Sequence, residues 1–147
     1  MVKYPGLPKD LYDSFKPEEN NLLVVDDGQN DYDAEMAKFF TRSAHHRSLT
    51  VIFIVQNLFF QSKHSRTISL NANYIVVLKA PRDAAQIGYL ARQLYPTQPK
   101  FLVEAYKDCT SKPHSYMLLD LQQTTPDQLR VRSSILPNQI CHVYQPK

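Results

Sequence analysis

Short apolar runs alternate along the chain with stretches of helical spacing, and turn-forming residues separate the two. LLVV at 22–25 is a continuous apolar run between polar residues, the pattern of a strand buried on both faces. DDGQND at 26–31 reads as a turn. A helix is expected from Asp31 to His46, with Asp31, Asp33 and Glu35 in its first turns and Arg42, His45, His46 and Arg47 at its end. That charge order suits the helix dipole. TVIFIV at 50–55 predicts a second buried strand, QNLFFQSKHS a polar-aromatic loop, and RTISLNA a short helix. YIVVLK at 74–79 predicts a third strand, with Pro81 at its exit. In RDAAQIGYLARQLY, residues 82–95, a near-helical stripe runs through Ala85, Ile87, Leu90, Ala91 and Leu94 until Pro96 ends it. KFLVEAYKDC at 100–109 predicts another helix. SYMLLDL at 115–121 and LRVRSSIL at 129–136 predict two strands joined by a turn around Pro126.

The alternation over residues 22–110 argues for an α/β protein with a mostly parallel sheet flanked by helices. The last two strands read as an antiparallel C-terminal edge. Residues 1–20 are rich in proline and charge and form an expected irregular lead, with LPKDLYDSF as a short helix starting near Pro8. Residues 21–136 then form the domain, and PNQICHVYQPK, 137–147, a frayed, flexible tail.

Composition adds bounds. The 147 residues suffice for one core, and 43% hydrophobic with 21% charged residues is ordinary for a soluble globular chain. The net charge of +3 permits a nucleic-acid or phosphate partner without demanding one. Cys109 and Cys141 stand far apart without a CxxC, which favours a reducing, intracellular setting. The start, MVKYPGLPKD, has no apolar run of a signal peptide, and Val51–Val55 is too short to cross a bilayer, so no membrane association is expected. His64, Cys109, His114, Cys141 and His142 lack metal-ligand spacing, which argues against zinc.

The main chemical clue is LLVVDD. In an open α/β sheet, ligands bind at the carboxyl ends of the strands, where this run puts Asp26 and Asp27. Asp26 could hold Mg²⁺ directly or through its waters, because that ion keeps several waters and takes one or two carboxylates. Asp27 could share the metal, or orient and deprotonate an attacking water. An ordinary acidic turn with an Asp27–Gly28 pair explains the same residues. A calcium loop fits worse, since its twelfth position would be Ala37 rather than Glu.

Four blocks in one order change that weighting: VVDD, HHRSLTVIFIVQN, RTISLNANYIVVLK and PRDAAQIGYLARQLYP. Together with the trailing AYKDCTSKPHSYMLLDL, they resemble the packaging ATPases of the FtsK–HerA class, above all the versions in Polinton (Maverick) transposable elements and related DNA viruses. The resemblance implies a RecA-like P-loop NTPase fold in a homo-oligomeric ring that uses Mg²⁺ and ATP to drive double-stranded DNA into a capsid. LLVVDD is then similar to the Walker B strand. Gln56, in VIFIVQN, matches the polar residue that senses the γ-phosphate and the attacking water, and an amide can both donate to the one and accept from the other. Arg47, then Arg42, then Arg66 are the candidates for an arginine finger, whose planar fork neutralises transition-state charge. Helix-end capping accounts equally for Arg42 and Arg47.

The chain departs from that family at one point. GxxxxGK[ST], whose backbone N–H groups and lysine cradle the phosphates, is absent, and none of Gly6, Gly28 and Gly88 precedes a lysine. In the family this loop follows a strand upstream of Walker B, and the residues before VVDD leave no room for it. That strand normally lies between those corresponding to 50–55 and 74–79. The expectation is a fragment from Walker B onward, inactive alone. Its alternatives are a half-enzyme completed by a P-loop-bearing chain and a non-catalytic DNA- or protein-binding module using Lys63, His64 and Arg66.

Overall fold

The computed structural model describes residues 2–4, 6, 8, 11–26, 33–43, 48–59 and 64–147. They divide into two compact units, residues 1–71 and 72–147.

In the first unit, helix α1 (Leu11–Ser14) precedes strand β1 (Asn21–Asp26). Helix α2 (Asp33–Lys38) runs into a π-helical turn, Phe39–Ser43. Strand β2 (Leu49–Ile54) and helix α3 (Ser65–Asn71) complete it. β1 and β2 pair in parallel, Asn21 opposite Leu49 through Asp26 opposite Ile54. A parallel pair needs a crossover, and the α2 segment supplies it. The sheet's inward face carries Leu23, Val25, Val51 and Phe53, packed on a core of Leu11, Met36, Ala37, Phe39, Leu49 and Ile68. Phe15 meets Phe39 edge to face with centroids 6.3 Å apart. The π turn widens the helix where Phe39 and Phe40 follow one another, so both reach the core. Thr41 Oγ1 braces this turn by donating to the Ala37 carbonyl at 2.8 Å. The single helix expected over 31–46 is therefore, within its described part, a six-residue α-helix followed by a π turn. The expected irregular lead contains α1, whose Leu11 is buried in the core.

The second unit holds strand β3 (Tyr74–Leu78), helices α4 (Ala85–Leu94) and α5 (Pro99–Cys109), and strands β4 (Tyr116–Asp120), β5 (Val131–Ser133) and β6 (His142–Tyr144). Its sheet runs β3–β4–β5–β6, antiparallel throughout. Met117, Leu118, Leu119 and Val131 are buried in it; Leu102, Ala105 and Cys109 are buried on α5, which packs on β4 and β5, and Ile87, Leu90 and Ala91 on α4, which packs on α5. Pro99 opens α5, where a missing N–H costs nothing. Tyr106 Oη ties α5 to the end of β3 by donating to the Leu78 carbonyl at 3.2 Å and accepting from the Ala80 N–H at 3.0 Å.

The protein is thus mixed α/β, with one parallel pair and one antiparallel sheet rather than the expected mostly parallel sheet. The difference begins at β3. Between β3 and β4 lie the two expected helices, packed on one another, and two traverses return the chain to the end it left. β4 must then run against β3. The tail expected to fray over 137–147 instead supplies β6, which pairs with β5 from Val131 opposite Tyr144 to Ser133 opposite His142.

Candidate functional site

The parallel register of β1 and β2 fixes what their carboxyl ends bring together. Asp26 closes β1 level with Ile54, and Gln56 follows two residues later along the same direction. Gln56 lies beyond the last residue of β2, in a bend. Both residues are exposed. Asn57 shapes the exit from β2: its Oδ1 accepts the Phe59 N–H at 2.8 Å, an Asx turn that bends the chain away from the strand line.

The strand starts are pinned as well. The Asn21 backbone N–H donates to the Ser48 carbonyl at 2.9 Å. Its side-chain Nδ2 donates to the Lys16 and Glu19 carbonyls at 2.8 and 2.9 Å. Ser48 holds this place with a positive φ of 45°.

Of the remaining predicted site residues, Arg66 is exposed near the start of α3. Neither an ion pair nor a hydrogen bond joins it to Asp26 among the described residues. Arg42 falls in the π turn, on the crossover between the two strands. Asp27 and Arg47 lie outside the described residues, as do Gly28, His45, His46, Phe60 and Lys63. The structure therefore puts Asp26 at the end of β1 and Gln56 two residues past the end of its parallel partner β2, and does not join Arg66 to Asp26.

Among the described residues no group of three or more His, Cys, Asp or Glu side chains could hold a metal ion. Asp26 offers one exposed carboxylate, enough for a hydrated Mg²⁺ that takes its other ligands from water or phosphate. The sequence holds no GxxxxGK[ST] loop to present backbone N–H groups to a triphosphate.

Two unpredicted features surround this site's sheet and the second unit. Leu22, Val24, Ile52 and Ile54 form the outer face of the parallel pair and are 46–60% exposed, although parallel sheets are ordinarily covered on both faces. In the second unit Asp120, 4% exposed, pairs with Arg132 and accepts the Thr125 hydroxyl at 2.9 Å and the Gln122 N–H at 3.2 Å. Arg130 closes the same turn through the Asp120 and Gln122 carbonyls at 3.2 and 2.9 Å. Its sequence signal was a charge ending an apolar run in YMLLD, followed by Arg132 on a strand with buried neighbours. Partners that far apart in sequence leave no spacing rule to find them. This cluster staples a turn of the second unit.

No family model matches the chain, and no curated protein or solved structure matches it. No helix among the described residues is long and apolar enough to cross a membrane.

Proposed function

We propose that this chain is the Walker B-onward part of a packaging ATPase of the FtsK–HerA class, Polinton-like, and that it does not hydrolyse ATP by itself. The observation that supports this reading is the parallel pairing of β1 with β2, whose register ends with Asp26 opposite Ile54, two residues before Gln56. In the intact RecA-like domain of this class, those two positions serve Mg²⁺ and the γ-phosphate, Asp27 the attacking water, and one of Arg47, Arg42 or Arg66 the finger. The ring, the double-stranded DNA and the capsid belong to the same proposal.

A second form of the reading, completion by a P-loop-bearing chain, is favoured by the outer face of the parallel pair. An open β2 edge and exposed Leu22, Val24, Ile52 and Ile54 are what a missing strand and helix would leave behind.

Titration of the chain with a fluorescent ATP analogue and Mg²⁺ tests the first statement. The expected result is no saturable binding up to about 100 µM, a free energy weaker than roughly −5.5 kcal/mol. Low-micromolar affinity that disappears in Asp26→Asn would overturn it. A separately expressed chain carrying GxxxxGK[ST] that restores Asp26-dependent hydrolysis on mixing would establish the second form.

A further inference from the structure

The C-terminal strand is held differently from the rest of its sheet. β6 has three residues, pairs only with β5, and exposes His142 and Val143. The run leading to it, 134–141, is exposed apart from half-buried Ser134, and Ser134 and Asn138 hold positive φ of 57° and 68°. A short edge strand with so little apolar surface beneath it belongs to the least stable part of a fold. Its anchor is Tyr144, whose Oη donates to Asp108 Oδ2 of α5 at 2.6 Å. The Tyr144 side chain also meets the Cys109 thiol and Ser133. The last residue adds a long contact, Gln98 Nε2 to the Lys147 carbonyl at 3.4 Å. Ser133 and Cys109, 4% and 5% exposed, lie where the strand and its tyrosine close over them.

We propose that β6 is a strap that opens on its own. It hinges in the 134–140 segment, is latched by Tyr144 on Asp108, and on opening uncovers the β5 edge and the Cys109 thiol while β3, β4, β5, α4 and α5 stay folded. Closed, the strap shields a thiol that burial already pushes above its ordinary pKa, so it is a poor nucleophile. Open, it frees both a strand edge able to accept another strand and the thiol beneath it.

The test labels Cys109 with Ellman's reagent in the full chain carrying Cys141→Ser, which removes the exposed thiol. Labelling is followed under native conditions across low urea. Local opening of three residues exposes little surface, so the expected rate is nearly independent of urea until global unfolding begins. Tyr144→Phe is expected to raise that rate roughly 5- to 10-fold, the worth of one ordinary hydrogen bond, since this one is exposed to solvent. A rate that follows urea with the full slope of global unfolding would overturn the proposal. So would a rise in Tyr144→Phe no larger than the rise in its global unfolding constant. If Tyr144→Phe does not fold, the urea dependence of the parent decides alone.

Discussion

Replacing Asp120 by alanine removes the group on which the β4–β5 turn converges. The carboxylate is almost fully buried, with its side chain 6% exposed, and its partner Arg132 is 26% exposed. Three interactions disappear together: the Arg132 pair, the Thr125 hydroxyl bond and the Gln122 N–H bond. Breaking a fully buried ion pair from one side costs about 3–5 kcal/mol, because the survivor stays desolvated. The exposed quarter of Arg132 lowers that figure, since water can reach part of the guanidinium, although its Nε is buried without a partner. The two neutral donors add about 1 kcal/mol each when left unpaired, but Gln122 and Thr125 are only half-buried and relax towards solvent. The expected loss is about 3 kcal/mol. Asp120→Asn keeps the volume and both neutral acceptor bonds and loses the charge, so it should cost about 1–2 kcal/mol. The chain has no tryptophan, so urea unfolding is best followed by far-UV circular dichroism. For a unit of this size the alanine midpoint should fall by roughly 1–3 M. The double variant Asp120→Asn/Arg132→Gln should be destabilised by at least about 1 kcal/mol less than the sum of its single changes. Equal stability of Asp120→Ala and the parent within about 0.5 kcal/mol, or strict additivity in the cycle, would refute the assignment of this cluster as the staple of the second unit.

Two other outcomes follow from the same chemistry. Burial pushes the Cys109 thiol and the Tyr144 phenol above their ordinary values of 9.0 and 10.0, and the Asp108 carboxylate holds the phenol up further. A raised folded-state pKa gives stability that is complete below the unfolded value and lost as pH rises through the folded one. Thermal unfolding should therefore be flat between about pH 6 and 8 and fall above about pH 9, less so in Cys109→Ala; a midpoint that rises from pH 8 to 10.5 would contradict this. Ser48 sits at φ 45° with an exposed side chain, so Ser48→Gly should relieve left-handed strain and raise stability by about 0.5–1 kcal/mol, and a measured loss would show that its side chain matters more than its backbone.

The strands were legible because their apolar runs are continuous: LLVV, TVIFIV and YIVVL all lie in strands within a residue or two of their expected limits. Direction was not. YIVVL has the composition of a buried parallel strand, yet it occupies the edge of an antiparallel sheet with Tyr74, Val76 and Leu78 exposed. The deciding signal was Pro96, which divides 82–109 into two helices and so reverses the strand that follows. Local periodicity counts elements, whereas strand direction depends on whether the number of traverses between them is odd or even. The β6 strand was missed for a different reason: HVY among polar and proline residues is too short to carry a period, and its strand state comes from pairing with β5 and from the Tyr144 anchor. At the site, the parallel pairing of the strands that lead to Asp26 and Gln56 was readable from their continuous apolar runs. The exposed face of Leu22, Val24, Ile52 and Ile54 was not, because a run apolar at every position does not say which of its faces will be covered.

Asn21 gives the first unit an uneven tolerance to changes of length. It fastens the start of β1 both to the preceding turn and to Ser48, so the distance from that fastening to Asp26 is counted in strand residues alone. Lengthening or shortening the crossover between the strands leaves that count intact, at the modest cost of a larger loop. One residue inserted directly after Asn21 would instead turn every later β1 side chain to the opposite face, swinging the Asp26 carboxylate towards the core and Leu23 and Val25 towards water. Related chains would then be expected to vary in length between the two strands while keeping the interval from the asparagine to the aspartate fixed.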